Sequence, residues 1–110
     1  MPYNLELEKQ IDRLAAQFGS LEKKKMFGGI CYLMEGNMCF GIYKDYLIVR
    51  VGIDAAEKKL KEKNVRPFDI TGKAMKGWVM VEEGGWKDQE DLENWLGLGK
   101  KYALTLPGKK

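Results

Sequence analysis

The chain has 110 residues, with 19 Lys and Arg against 16 Asp and Glu and a formal net charge of +3. This length suits one domain with a single core, so we predict one domain over residues 1–110. The small positive excess falls short of the strongly basic composition of a dedicated nucleic-acid-binding protein. Histidine is absent, which removes the commonest general base and a common metal ligand.

The positions of the cysteines and the lengths of the apolar runs indicate the cellular compartment of the protein. The strands predicted below point Cys31 and Cys39 to opposite faces, so a disulfide between them is not expected and a reducing compartment is favoured. No apolar run is long enough to span a bilayer, and residues 1–10 lack a basic segment followed by an apolar one. We therefore expect a cytoplasmic protein without membrane contact.

A first helix is predicted from Asn4 to Phe18. Asn4 suits the N-cap position, and Gly19 suits the stop. Apolar residues recur at helical spacing between them, namely Leu7, Ile11, Leu14, Ala15 and Phe18. Three lysines at 23–25 then lead towards the first strand. Such a run is typical of a solvated loop, with contact to an anionic partner as the alternative.

Residues 26–52 predict three consecutive antiparallel strands. Gly36-Asn37 and Lys44-Asp45 each separate two runs rich in aromatic and β-branched residues, and each is interpreted as a two-residue hairpin turn. Counting outward from the turns gives the cross-strand partners Met34 with Cys39, Phe40 with Leu33 and Val49, and Ile42 with Cys31 and Leu47.

This register sorts the side chains into two faces, because they alternate along a strand. The predicted core face, which helices should cover, collects Phe27, Gly29, Cys31, Leu33, Met38, Phe40, Ile42, Leu47, Val49 and Val51. The predicted second face collects Gly28, Ile30, Tyr32, Met34, Cys39, Gly41, Tyr43, Tyr46, Ile48 and Arg50. A solvated antiparallel face is normally polar, so this apolar, aromatic face is expected to need a cover.

The next segment predicts a helix followed by strands. Asp54 and Glu57 form a capping box for a helix that continues to about Lys63. Arg66-Pro67 should end that helix, because the residue before proline avoids the α region. Phe68-Asp69-Ile70 then predicts a short edge strand.

A stronger strand is predicted from Lys76 to Glu83, with Trp78 and Met80 joining the second face. Gly84-Gly85 is interpreted as a loop. Asp88 should cap the last helix, whose apolar stripe is formed by Leu92, Trp95, Leu96, Tyr102 and Ala103.

These residues show no recognisable catalytic or cofactor pattern. Cys31 and Cys39 are too far apart for a CxxC motif, and residues 72–77 (GKAMKG) lack the Gly-Lys-Ser/Thr ending of a phosphate-binding loop. We therefore expect no catalytic, cofactor or metal-binding residues and no enzymatic activity.

Several short motifs occur together in a particular order: Met26-Phe27-Gly28-Gly29, Tyr32, Gly36-Asn37-Met38, Gly41, Asp45-Tyr46-Leu47, Val49-Arg50-Val51, Arg66-Pro67, and residues 71–78 (TGKAMKGW). Their order and spacing resemble the N-terminal domain of the TfoX/Sxy proteins over roughly residues 14–102. The resemblance implies a two-layer α+β fold similar to secretion chaperones, with helices mainly on one face of an antiparallel sheet. The expected order is α-β-β-β-α-β(-β)-α.

The resemblance also implies a regulatory role. Members with an assigned role regulate bacterial competence genes together with a transcription factor, the cyclic-AMP receptor protein, at certain promoters. Those full-length regulators carry a second, C-terminal helical domain, and this chain is expected to stop where that domain would begin. Competence regulation therefore cannot simply be carried over.

Three interpretations of the predicted second face stay open. In the first it is a protein interface, most simply of a homodimer, formed by Ile30, Tyr32, Met34, Tyr43, Tyr46, Ile48, Arg50 and Trp78. In the second it binds single-stranded nucleic acid, with bases stacked on Tyr32, Tyr43 and Tyr46 and phosphates near Lys44, Arg50 and Lys76. In the third the terminal helix of the chain covers it. Arg50 could pair with a carboxylate of another chain or with Glu82.

Overall fold

The computed structural model describes residues 3–19, 21–26, 28–69, 72 and 76–106. In this part of the chain, ten α-helices and strands follow one another: α1 (Leu5–Ala15), β1 (Glu22–Met26), β2 (Gly29–Met34), β3 (Asn37–Tyr43), β4 (Tyr46–Arg50), α2 (Ile53–Lys59), β5 (Val65–Pro67), β6 (Trp78–Val81), α3 (Glu83–Trp86) and α4 (Gln89–Ala103). The strands form one antiparallel sheet in the order β1-β2-β3-β4-β6-β5. The predicted α+β class is confirmed.

The two long helices begin where the sequence places their caps. The Asn4 side chain accepts a hydrogen bond of 2.9 Å from the Leu7 N–H, and the Asp88 side chain accepts one of 2.9 Å from the Glu90 N–H. A short 3-10 helix over residues 16–18 follows α1. Both helices pack on the same side of the sheet. The main core there includes Leu7, Ile11, Leu14, Phe40, Ile42, Leu47, Val49, Val79, Val81, Leu92 and Leu96.

The three lysines at 23–25 lie in an edge strand, so the predicted loop is wrong. They form most of β1, which lies at one end of the sheet and, among the described residues, pairs with β2 alone. Charged residues on an edge strand discourage pairing with a foreign strand. The prediction failed because the lysine run suggested solvent exposure, whereas strand formation here depends on pairing with β2.

The register between β2 and β3 differs from the predicted one by one residue over most of its length. The hairpin turn is Glu35-Gly36, where both residues have positive φ (51° and 84°), and not Gly36-Asn37. Met34 therefore pairs with Asn37. A bulge then shifts the pairing, so that Tyr32 lies opposite Phe40. The predicted partners of β3 in β4 are confirmed, with Phe40 opposite Val49 and Ile42 opposite Leu47.

A one-residue shift exchanges the two faces of a strand, and this happens in β2. Ile30, Tyr32 and Met34 belong to the main core under the helices, whereas Cys31 and Leu33 belong to a cluster on the opposite side. The bulge also exchanges two residues of β3: Met38 joins the opposite cluster, and Cys39 joins the main core. The predicted core-face residue Phe27 lies outside the described residues.

Helix α2 begins earlier than predicted and ends sooner. Its N-cap is Gly52, with φ of 93° and no side-chain capping hydrogen bond, so the predicted Asp54 capping box does not form. The helix ends at Lys59, about four residues before the predicted end. Asn64 has a positive φ (69°) in the turn that precedes β5.

The second edge strand is also displaced. It covers Val65–Pro67, whereas the prediction placed it at residues 68–70, of which Ile70 lies outside the described residues. Gly84 and Gly85 lie in α3, not in a loop. Trp78 and Met80 lie on the side opposite the main core, as predicted, while Val79 and Val81 face the main core.

Candidate protein interface

A second apolar cluster lies on the side of the sheet opposite the helices. We call it the aromatic face; it consists of Cys31, Leu33, Met38, Tyr43, Tyr46, Ile48, Phe68, Trp78 and Met80. Strands β2, β3, β4 and β6 supply eight of these residues, and the loop after β5 supplies Phe68. Within the described residues, no helix contributes to this cluster.

The aromatic face is graded in exposure. Ile48 and Cys31 are fully buried, while Tyr43, Tyr46 and Trp78 are half-buried. Tyr43 and Tyr46 pair directly across the β3–β4 hairpin. The Phe68 ring lies 5.6 Å from the Trp78 ring, centroid to centroid, with an interplanar angle of 32°. The accessible part of the face therefore consists of Tyr43, Tyr46, Trp78 and Leu33, whereas Phe68 and the other residues of the face are buried.

Each of the three half-buried rings has a cationic side chain beside it. Lys44 Nζ lies 5.4 Å from the centroid of the Tyr43 ring, and Arg50 Cζ lies 5.3 Å from that of Trp78, both within cation–π range. Arg66 Nη1 donates a hydrogen bond of 3.3 Å to the Tyr46 hydroxyl. A surface that alternates aromatic and cationic groups is typical of protein-recognition sites.

The structure brings together only part of the predicted interface. Tyr43, Tyr46 and Trp78 lie on the aromatic face, with Ile48 beneath them and Arg50 at its margin. The placement of Ile30, Tyr32 and Met34 on this face is wrong. They are 5%, 2% and 7% exposed and pack under the helices, because the register shift turns these β2 residues inward.

The packing contradicts one other interpretation of the second face and one predicted ion pair. Helix α4 contacts β3 and β4 on the main-core side, so the terminal helix does not cross the aromatic face. Arg50 does not pair with Glu82. That carboxylate instead lies 3.4 Å from Arg66 Nη1 of the neighbouring strand.

Tyr32 contributes to a polar network between α1 and the sheet. Its hydroxyl donates a hydrogen bond of 2.8 Å to Asp12, and Lys23 Nζ lies 2.8 Å from Glu8 and 3.1 Å from Asp12. Burial, together with the hydrogen bond to Asp12, raises the pKa of Tyr32. Burial lowers the pKa of Lys23, but the hydrogen bonds to Glu8 and Asp12 outweigh it and leave that pKa raised. The network therefore links α1 to β1 and β2.

The two thiols are poor nucleophiles. Cys31 and Cys39 are both fully buried, on opposite sides of the sheet, and burial raises the pKa of each from 9.0 to about 11. A thiolate is the reactive form, and it is disfavoured at both positions. Within the described residues, no group of three or more Cys, Asp or Glu side chains is arranged to hold a metal ion.

Four residues of the aromatic face were not predicted to lie on it. Cys31, Leu33 and Met38 were assigned to the core face, and Phe68 was assigned to an edge strand. The pairing of Leu33 with Met38 across the β2–β3 hairpin was the available signal, but it requires the Glu35-Gly36 turn. Arg66 was also missed, since its proximity to Tyr46 depends on β5 pairing with β6.

Sheet, helices and clusters define a two-layer α+β domain, with one face of the sheet under helices and an aromatic face opposite. A protein-family model described as the TfoX N-terminal domain matches residues 12–102, so the chain belongs to that family. Comparisons with curated proteins and with solved structures gave no significant match. No helix in the described part of the chain is long and apolar enough to cross a membrane.

Proposed function

We propose that this protein is a cytoplasmic, non-enzymatic regulatory domain that acts by binding other protein chains through its aromatic face. The observation that carries the proposal is the set of three half-buried rings, each beside a cation, on the side of the sheet opposite the helices. Tyrosine, tryptophan and arginine are enriched at protein interfaces and dominate their binding energy.

The simplest partner is a second copy of the chain, and family membership supports a transcription factor as a further partner. A homodimer formed through this face would bring Tyr43, Tyr46 and Trp78 of the two copies together. Regulation of competence genes is the role that the TfoX/Sxy family suggests for such a complex.

Sedimentation of Tyr46→Ala beside the unchanged protein tests the proposal. We expect the unchanged chain to self-associate as its concentration rises, and Tyr46→Ala to weaken association at least about tenfold, because a tyrosine at an interface centre often contributes over 1.4 kcal/mol. Leu104, 60% exposed after the end of α4, supplies a matched control. Leu104→Ala should leave association unchanged.

A monomer at millimolar concentration would refute the homodimer. The transcription-factor partner is tested separately, by capturing proteins from the native cell with the unchanged chain and with Tyr46→Ala. Partners that both chains retain equally would count against the aromatic face as the binding surface.

The alternative function is binding of single-stranded nucleic acid. Two of the three tyrosines predicted to stack on bases remain accessible for it. Tyr32, the third, is buried under α1. Tyr43 and Tyr46 remain, with Lys44 and Arg50 nearby. The test is the affinity for an oligothymidine of twelve nucleotides. An affinity that falls steeply with salt and is lost in Tyr46→Ala would favour this function over the protein interface.

A further inference from the structure

Arg50 lies at the end of β4, where the sheet meets α4. Its guanidinium carbon is 5.3 Å from the Trp78 ring centroid and 5.4 Å from that of Tyr102. The side chain is half-buried and makes no hydrogen bond or ion pair with the described part of the chain. A guanidinium stacked on aromatic rings keeps its planar edge of N–H donors available for a carboxylate.

The backbone holds these three side chains in place. Arg50 and Trp78 are direct cross-strand partners, and the N–H groups of Val51 and Gly52 both donate to the Gly77 carbonyl oxygen, at 2.9 and 3.0 Å. Gly52 is required here, because its φ is 93° and a Cβ would lie 2.9 Å from the Tyr102 ring. The guanidinium is therefore positioned before any ligand arrives, which lowers the entropic cost of binding.

Trp78, whose ring the Arg50 guanidinium contacts, also lines a groove of about 220 Å³. The groove is bounded by α2, the end of β5 and the start of β6, and its other lining residues include Ile53, Leu60, Pro67 and Lys76. Ile53 and Leu60 are 55% and 38% exposed, unusual for large apolar side chains. Sites for drug-sized ligands measure roughly 300–1,000 Å³, so this groove suits one or two side chains of a peptide.

We propose that Arg50 and this groove form one binding site for an acidic, apolar segment of a partner protein. A carboxylate of the segment binds the edge of the guanidinium, and a neighbouring apolar side chain fills the groove against Trp78 and Leu60. Lys76 at the groove adds positive charge, opposed there by Glu57. This inference rests on the proposed function and names the partner chemistry at one margin of the aromatic face.

The same geometry disfavours a nucleic-acid base at Trp78. The Phe68 ring lies 5.6 Å from the Trp78 ring, and the Arg50 guanidinium lies over that ring as well. A base would have to displace one of them in order to stack. A carboxylate needs no such displacement, because it approaches the guanidinium edge.

NMR titration of the full ¹⁵N-labelled chain tests the site, using the signals of Arg50 Nε–Hε and Trp78 Nε1–Hε1. The probes are the peptide Ac-Leu-Glu-Asp-Leu-NH2 and its amide twin Ac-Leu-Gln-Asn-Leu-NH2. We expect the acidic peptide to shift both signals saturably and to bind about tenfold or more tightly than its twin, because a hydrogen bond to a charged group contributes roughly 1.5–3 kcal/mol.

Two variants extend the test. Arg50→Gln should remove the preference for the acidic peptide, and Lys76→Gln, at an exposed loop position, should reduce it while leaving the fold intact. Equal binding of the two peptides, or shifts confined to other signals, would overturn the site. So would displacement of these signals by an oligothymidine alone. The proposed homodimer would itself shift the Trp78 signal with protein concentration, so the Arg50 signal decides. If the Arg50 Nε–Hε signal shifts with protein concentration alone and the acidic peptide does not compete, a second copy is the occupant and the proposed partner is overturned.

The outcomes separate this inference from the proposed function. If the acidic peptide binds at Arg50 while Tyr46→Ala leaves all association unchanged, the site stands and the central aromatic face fails. If Tyr46→Ala abolishes association and both peptides bind equally, the proposed function stands and the carboxylate site fails.

Discussion

Replacing Gly99 by alanine should destabilise the fold, whereas the same exchange at Gly97 should stabilise it. Both glycines lie in the continuous helix α4, which packs against β3. A Cβ at Gly99 would lie 2.5 Å from the Cys39 carbonyl oxygen and 3.1 Å from Phe40 Cδ2. A Cβ at Gly97, which is exposed, would have no neighbour within 4 Å.

The magnitudes follow from these distances. Overpacking a core costs about 1–3 kcal/mol, and Gly99 belongs in the upper half of that range, because a backbone oxygen cannot rotate away. The higher helix propensity of alanine offsets about 1 kcal/mol of this cost. The free energy of unfolding should therefore fall by about 1–2 kcal/mol. At Gly97 only the propensity acts, so the gain is about 0.4–1 kcal/mol.

Thermal unfolding followed by circular dichroism measures the change in stability of the two variants. For a chain of this size, 1 kcal/mol corresponds to roughly 4–6 °C in Tm. Gly99→Ala should therefore lower Tm by about 4–12 °C, and Gly97→Ala should raise it by about 2–6 °C. Equal shifts of one sign in the two variants would refute the reasoning, since helix propensity alone would then account for both positions.

The buried thiols should make the fold sensitive to alkali. Because burial raises the pKa of Cys31 and Cys39 from 9.0 to about 11, the unfolded chain loses these protons first, and stability should fall between pH 9 and 11. Alanine at both positions should reduce the slope of the urea midpoint against pH, and an unchanged slope would contradict the assignment. Tyr32→Phe removes one hydrogen bond to a carboxylate and should cost about 1–3 kcal/mol in urea unfolding, so an unchanged midpoint would show that the bond adds nothing. Lys24→Ile extends the apolar surface along the edge strand and should increase light scattering by association, whereas Lys101→Ile, on the exposed side of α4, should increase it much less.

The register of the sheet shows where local signals suffice. The β3–β4 hairpin was predicted correctly, because a two-residue turn at Lys44-Asp45 determines which residues face each other. The β2–β3 hairpin was not. Its turn requires positive φ at Glu35, a residue type that rarely adopts it, and this turn displaces the pairing by two residues from the predicted register. The bulge beyond the turn moves the pairing back by one residue, and the remaining one-residue difference exchanges the faces of β2.

The error in the β2–β3 register also affected the predicted interface. Tyr43, Tyr46 and Trp78 were assigned to the correct face, because β3–β4 pairing and the alternation in β6 are local patterns. Tyr32 was misassigned along with the rest of β2. The contacts of Arg50 with Trp78 and Tyr102 join β4, β6 and α4, and no spacing along the chain indicates such a meeting.

By itself, the sequence determined the local elements: the capped helices at Asn4 and Asp88, the positive φ of Gly19 where the first helical segment ends, and an alternation that required a sheet. These follow from forces that act within a few residues of each other. Only the tertiary structure decided which side of β2 faces the helices, whether three lysines form an edge strand, and which cations lie beside the exposed rings. Such outcomes depend on pairing between distant segments, where a shift of one residue reverses inside and outside.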